Sequence, residues 1–149
     1  MIEKTELVYK EVGYKFVTRS RMITSADCDI FVAIAGPRED ILISDEIAKA
    51  KGFKRKVVAL SLALGIAWGL IFEEGLTPEA TTLGVEELRF PAPLYPYDTV
   101  RVEGEVIGKR ESSKGDRIIV TYSWVLKNQD DAVVAQAEIA EMFAKPKEL

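Results

Sequence analysis

The chain of 149 residues contains no histidine, and that absence excludes more chemistry than any residue present supplies. Without imidazole there is no Ser-His or Cys-His nucleophilic pair, no histidine metal ligand and no histidine acid or base. A single cysteine, Cys28, rules out an internal disulfide and a cysteine metal cluster, so the expected compartment is a reducing cytoplasm, with no metal or cofactor implied. Cys28 has no basic neighbour in sequence to activate it, and it reads as a packed thiol. A net charge of −4 with mixed signs leaves no basic stripe on any element, which argues against a nucleic-acid surface. Long apolar runs are also scarce. Residues 57–72 are uncharged, but they fall short of the roughly 20 needed to cross a bilayer. They stop abruptly at Lys54-Arg55-Lys56 and Glu73-Glu74, which predicts a buried core helix, not a membrane anchor. The opening MIEKTELVYKE lacks the apolar segment of a secretory signal.

What is present describes a folded globular protein: 48% hydrophobic and 30% charged residues, in a length that fits one domain over residues 1–149. Alternation in YKFVTRSRMIT predicts a strand ending near Ile23. Thr24 and Asp27 form a T-x-x-D capping box that opens a helix, SADCDIFVAIA, with Phe31, Ile34 and Ala35 as its apolar face and Gly36 at its end. Ser44 caps a second short helix that stops at Gly52, with Asp45 and Glu46 favourably placed in its first turn. The apolar helix follows, over about residues 57–74. Beyond Pro78, four segments rich in Val, Ile, Thr and aromatics read as strands, with SSKGD and NQDD short enough to be hairpin turns. This order predicts an α+β fold, a curved antiparallel sheet with one helix laid in its concave face and covered on nearly every side.

Four of these segments resemble, in order, the MaoC-type hot-dog proteins, which include (R)-specific enoyl-CoA hydratases and dehydratases. TSADCDIFVAIAG is similar to the family's first helix, and SDEIAKAKGF to its short helix ending in Gly-Phe. LRFPAPLYPYDTVRVEGEV is similar to its R-F-x-x-P-x-x-P-G-D-T stretch, with Tyr97 in place of glycine. VLKNQDDAVVAQAEIAEMFAK is similar to its closing hairpin. The resemblance implies a hot-dog fold of five to six strands around a long central helix, a dimer, and acyl-CoA or acyl carrier thioesters as ligands in fatty acid metabolism.

The chemistry that the resemblance implies is missing from this chain. Aligned without a gap from Phe53, the family's G-D-x-N-P-x-H-x-D motif puts its catalytic Asp on Pro37 and its catalytic His on Leu42. Its V-H-G-M segment falls on Val58, Ala59, Leu60 and Ser61. Pro37 has neither an acidic side chain nor a backbone N–H, and Leu42 cannot titrate. The apolar run Ile41-Leu42-Ile43 therefore reads as a former active site filled in, with Pro37, Leu42, Ala59 and Leu60 as its lining. Two roles are open to Glu39 and Asp40 beside it: solvated loop carboxylates, or the carboxylate base of a hot-dog thioesterase. Arg38, Lys54 and Arg55 are either exposed cations or partners for CoA phosphates. Three functions follow: a silent subunit that binds an acyl thioester or completes a homodimer or heterodimer with an active hot-dog chain, a thioesterase using Glu39 or Asp40, or thioester chemistry through other residues.

Overall fold

Alternating burial along the last three strands lays out the sheet. The computed structural model describes residues 4–36 and 38–147. Within it β4 (Thr99–Glu111), β5 (Arg117–Lys127) and β6 (Val133–Ala144) form two long antiparallel hairpins. Val100, Val102 and Val106, then Val120, Tyr122, Trp124 and Leu126, then Ala135, Ala137, Ile139 and Phe143 all turn into the core. β1 (Lys15–Val17) adds to β4 and β3 (Thr81–Arg89) adds to β6, giving the order β1-β4-β5-β6-β3, with the short β2 (Arg21–Met22) also on β4. Register shifts between Val106 and Gly108 and between Leu126 and Lys127 bend the sheet. Gly104 admits β1: a Cβ there would meet the Phe16 ring at 2.2 Å. Through that gap Phe16 packs edge-on against Tyr122, with centroids 6.0 Å apart.

The central helix α4 (Leu60–Glu73) lies in the concave face and sinks Ala63, Ile66, Ala67, Leu70 and Ile71 into the core. This is the α+β hot-dog arrangement. Four strands follow Pro78 as the sequence predicts, and several other expectations need correction. The first strand is broken into β1 and β2, because Thr18 turns inward, its hydroxyl accepting from the Val102 N–H and donating to the Arg19 carbonyl. α4 begins at Leu60 and not near residue 57: the amides of Val57 and Val58 donate to the Ile41 and Leu94 carbonyls, which holds residues 57–59 extended. Nor is α4 covered all round. Leu64 and Trp68 are half-buried, and Leu60, Ser61, Gly65, Gly69 and Phe72 form an open face, with Phe72 61% exposed.

The helix α1 (Ser25–Ala35) starts as predicted, with Thr24 and Asp27 exchanging both capping-box bonds. The bond from the Thr24 backbone N–H, with Arg21 adding to it, holds the Asp27 carboxyl below its ordinary range. Its packed side differs from expectation. Cys28 is buried and Phe31 half-buried, whereas Ile34 is 81% exposed and Ala35 also faces outward. Burial pushes the Cys28 thiol up, and Asp27 and Asp29 add to that, so it is the packed thiol the sequence suggested. Two short helices follow, α2 (Asp40–Ile43) and α3 (Asp45–Ala50). The first is a single turn where the sequence suggested a loop, and Ser44 caps the second through the Ile47 N–H. No helix among the described residues is long and apolar enough to cross a membrane.

One polar side chain interrupts the core row of β6. Glu141 is 2% exposed, and its Oε1 accepts from the Trp68 indole N–H (3.3 Å) and the Thr82 hydroxyl (3.2 Å), tying α4 to β3. The Tyr122 hydroxyl stands near the same carboxyl. Burial pushes Glu141 above the ordinary carboxylate range, its neighbouring donors offsetting only part of the rise; burial, then Glu141, push Tyr122 up as well. A carboxyl raised on folding contributes stability that is complete below its unfolded value and is lost as pH rises through the folded one. Glu141→Gln keeps the acceptor for Trp68 and Thr82 and removes the charge. Melting curves across pH should therefore show no gain at about pH 4 and a gain on the order of a few degrees at neutral pH and above. A pH-independent difference would contradict it.

Candidate functional site

The extended segment 57–59, held between α2 and the loop after β3, forms the back of a cavity of about 400 Å³. Leu42, Val57 and Ala59 are buried at its floor, and Phe53, Phe90 and Leu94 form walls. Gly52, with φ 93°, ends α3 and turns Phe53 inward, where its amide donates to the Ala48 carbonyl. Tyr95 closes the cluster behind, its hydroxyl accepting from the Lys54 N–H at 3.0 Å. The cavity is thus an apolar slot with few polar groups, the composition common to small-molecule sites.

Its polar rim consists of Glu39, Ser61 and the start of α4. The first intrahelical bond of α4 runs from the Ala63 N–H to the Ala59 carbonyl, and no side chain caps the helix. The amides of Leu60, Ser61 and Leu62 are therefore the orphan donors of its first turn, and Leu60 and Ser61 line the cavity. Such a terminus favours a carbonyl oxygen or an anion. Beside it the described lining offers a single carboxylate, Glu39, and no second group to act as acid against base. Among the described residues no group of three potential metal ligands gathers anywhere.

The residues singled out by sequence divide in three ways. Leu42, Ala59, Leu60 and Glu39 meet at the cavity, Leu60 being 45% exposed at its edge. Arg38, Asp40 and Lys54 are exposed and outside its lining; Asp40 is the first residue of α2, and its carbonyl accepts from the Ser44 N–H. Arg55 is half-buried and committed locally, donating to the Pro96 carbonyl at 3.0 Å and lying 4.9 Å over the Tyr95 ring. Pro37 lies outside the described residues. Sequence reasoning missed the walls Phe53, Phe90, Pro91 and Pro93 as lining. Their signal was available: an apolar run with two prolines cannot continue a strand, so it must cover something.

Residues 95–98 form the turn that follows these walls. The Asp98 N–H donates to the Tyr95 carbonyl, Pro96 takes the second place and Tyr97 the third, with φ 73°. That is the pattern of a type II turn, whose third place normally takes glycine or asparagine. Tyrosine there costs about 1–2 kcal/mol, and its ring gains no burial in return, being 62% exposed.

The MaoC like domain family matches residues 8–128. Mesaconyl-CoA hydratase of Cereibacter sphaeroides is 29% identical over 77% of this chain, and 34% of that protein is covered. The chain spans about a third of the length of the curated relatives it matches. The structure of an (R)-hydratase from A. caviae involved in PHA biosynthesis superposes with a TM-score of 0.76, at 25% identity, over 89% of this chain and 96% of that one. The fold also occurs in the ChsH1-ChsH2 complex from Mycobacterium tuberculosis, with TM-score 0.73, 20% identity and coverage of 90% and 98%.

Tyr97→Gly relieves the left-handed strain and regains part of that cost as chain entropy on unfolding. Urea denaturation should show it more stable than wild type by about 0.5–1 kcal/mol. A loss of stability would mean that the ring is held by packing.

Proposed function

The chain belongs to the MaoC-like domain family of hydratases and dehydratases, and on that premise we propose that it is a member without hydratase chemistry whose cavity holds the acyl part of a CoA or acyl carrier thioester. The observation that carries this reading is the lining. Leu42, Ala59 and Leu60, on which the family's hydration residues align, surround an open apolar slot of about 400 Å³. Hydration needs a base for water, an acid for the alpha carbon and donors for the enolate; the described lining supplies the donors of α4 and one carboxylate, Glu39, with no second group to pair acid against base. Apolar walls favour an acyl tail by ~0.8 kcal/mol per buried CH₂.

The same protein acts as a partner subunit, in a homodimer or with an active hot-dog chain. β3 pairs only with β6, so its other edge is unpaired among the described residues, and the uncharged open face of α4 is exposed as well. Such an edge calls for cover. Sedimentation should give a dimer at micromolar concentration, and a monomer would contradict the subunit role. A second reading, thioesterase chemistry, is favoured by one observation: Glu39 lines the cavity on the same rim as the α4 amides. Hydrolysis of acyl-CoA that disappears in Glu39→Gln, with Asp40→Asn unchanged, would establish it in place of the silent reading.

Acyl-CoA ligands from C4 to C16 should raise the melting temperature progressively, since a ligand at about 100 Kd adds roughly 2.7 kcal/mol, and Leu42→Asp should weaken the effect. Enoyl-CoA hydration by the chain should be indistinguishable from buffer. A flat melting temperature across the series would overturn the acyl site, and sizeable hydration would overturn the loss of activity.

A further inference from the structure

Glu141 lies in the core row of β6, between Val120 of β5 and Thr82 of β3, and its neighbours on the inward side of the strand, Ile139 and Phe143, are apolar. The groups that face it come from three elements. α4 brings the Trp68 indole N–H, β3 the Thr82 hydroxyl and β5 the nearby Tyr122 hydroxyl. None of them is a cation. α4 carries no charged side chain before Glu73. Lys109 of β4, which pairs with Val120, donates from its ammonium to the Lys10 carbonyl. The charged residues of β3 are also engaged elsewhere, Glu86 opposite Glu138 on the other face and Glu87 with Arg89. Asp98, the other buried carboxyl, accepts from two N–H groups, of Tyr95 and Gln129. A buried carboxylate without a paired cation is costly, so this surrounding favours Glu141 as the neutral acid.

The strand that supplies Thr82 is weakly secured. β3 pairs with β6 alone, and its ladder breaks between Thr82 and Gly84 and again between Glu86 and Arg89. Glu87 holds a left-handed φ of 52°, and no residue of β3 is fully buried. Edge segments of this kind open at free energies below that of global unfolding. Opening β3 removes the Thr82 donor and admits water to Glu141, whereas a docked β3 keeps the carboxyl dry.

We propose that Glu141 is a pH-sensitive latch for β3: as the neutral acid it holds the edge strand against α4, and its ionisation releases that strand while β4, β5 and β6 stay paired. The inference is independent of the acyl-thioester reading. In the docked form the carboxyl is raised by burial, and in the opened form it titrates at its ordinary value, about 4.3. Below that value both forms hold the proton and pH has no effect. Above it, opening releases a proton, so the opened form gains about tenfold in population per pH unit until the docked-state value is passed. Docking is thus most secure in acid and is lost as pH rises. β3 also carries the unpaired edge of the sheet, so the same proton governs whether that edge is presented in order.

Amide hydrogen exchange of wild type and Glu141→Gln is followed from about pH 4 to about pH 9, with rates corrected for the intrinsic pH dependence of exchange. In wild type, protection of residues 81–86 in β3 should fall about tenfold per pH unit above about pH 4.3. It should also stay below the protection of residues 118–126 in β5 at every pH. In Glu141→Gln, which has no proton to release, protection of β3 should not change with pH. Flat protection of β3 in wild type would overturn the latch. Equal protection of β3 and β5 would overturn it too, because the strand would then leave only when the whole domain unfolds. A slope that persists in Glu141→Gln would assign the titration to another group. Should the variant fail to fold, the wild-type slope and the difference between β3 and β5 decide the question by themselves.

Discussion

The segment Leu60–Glu73 carries no charged side chain before its last residue, so its burial requires no ion to leave water. Each fully buried Ile or Leu on it contributes about 1.5–3 kcal/mol, and Ile66, Leu70 and Ile71 are all within 4% of complete burial. The sheet is shaped to receive them. Its long hairpins curve at register shifts, small residues such as Ala135 and Ala137 sit in the core, and β1 and β3 extend the sheet on either side. Where the sheet stops, the helix stays uncovered along Leu60, Ser61, Gly65, Gly69 and Phe72.

The same helix also sets what the cavity can do. Having no capping side chain, α4 offers bare amides at its start. The segment before it, pinned at Val57 and Val58, brings those amides to the wall of an apolar slot. Donors for a carbonyl are present, and beside them the described lining offers one carboxylate, Glu39. That combination separates holding a thioester from hydrating one: the former needs shape and dipoles, the latter a matched acid and base. The buried carboxyl of Glu141 lies elsewhere, in the core, where it links helix to edge strand through Trp68 and Thr82.

Much of this was legible in the sequence because it is local. The strands beyond Pro78, the Thr24 and Ser44 caps and the Gly-ended helices each depend on a few neighbouring residues, and these appear where the pattern placed them. The apolar character of Ile41, Leu42 and Ile43 was legible too, and Leu42 lines the cavity. What escaped depends on distant partners. The start of α4 was shifted by bonds to Ile41 and Leu94, and the apolar face of α1 by which side meets the core. The cavity walls at Phe53 and Phe90 join only when the chain folds back across some forty residues. Arg55 illustrates the difference: its charge was readable, whereas its stacking on Tyr95 was not.

The order of elements along the chain has a consequence for synthesis. The central helix is complete at Glu73, while the strands that cover it continue to Ala144, about seventy residues later. At ribosomal rates of roughly 5–20 residues per second, a wholly apolar helix waits on the order of 4–14 seconds before its trough exists. Both edge strands, β1 and β3, also precede the strands they pair with. The nascent chain therefore passes through a stage in which its greasiest segment and two unpaired strands are exposed together, and it is then a natural client for any factor that shields apolar surface during translation.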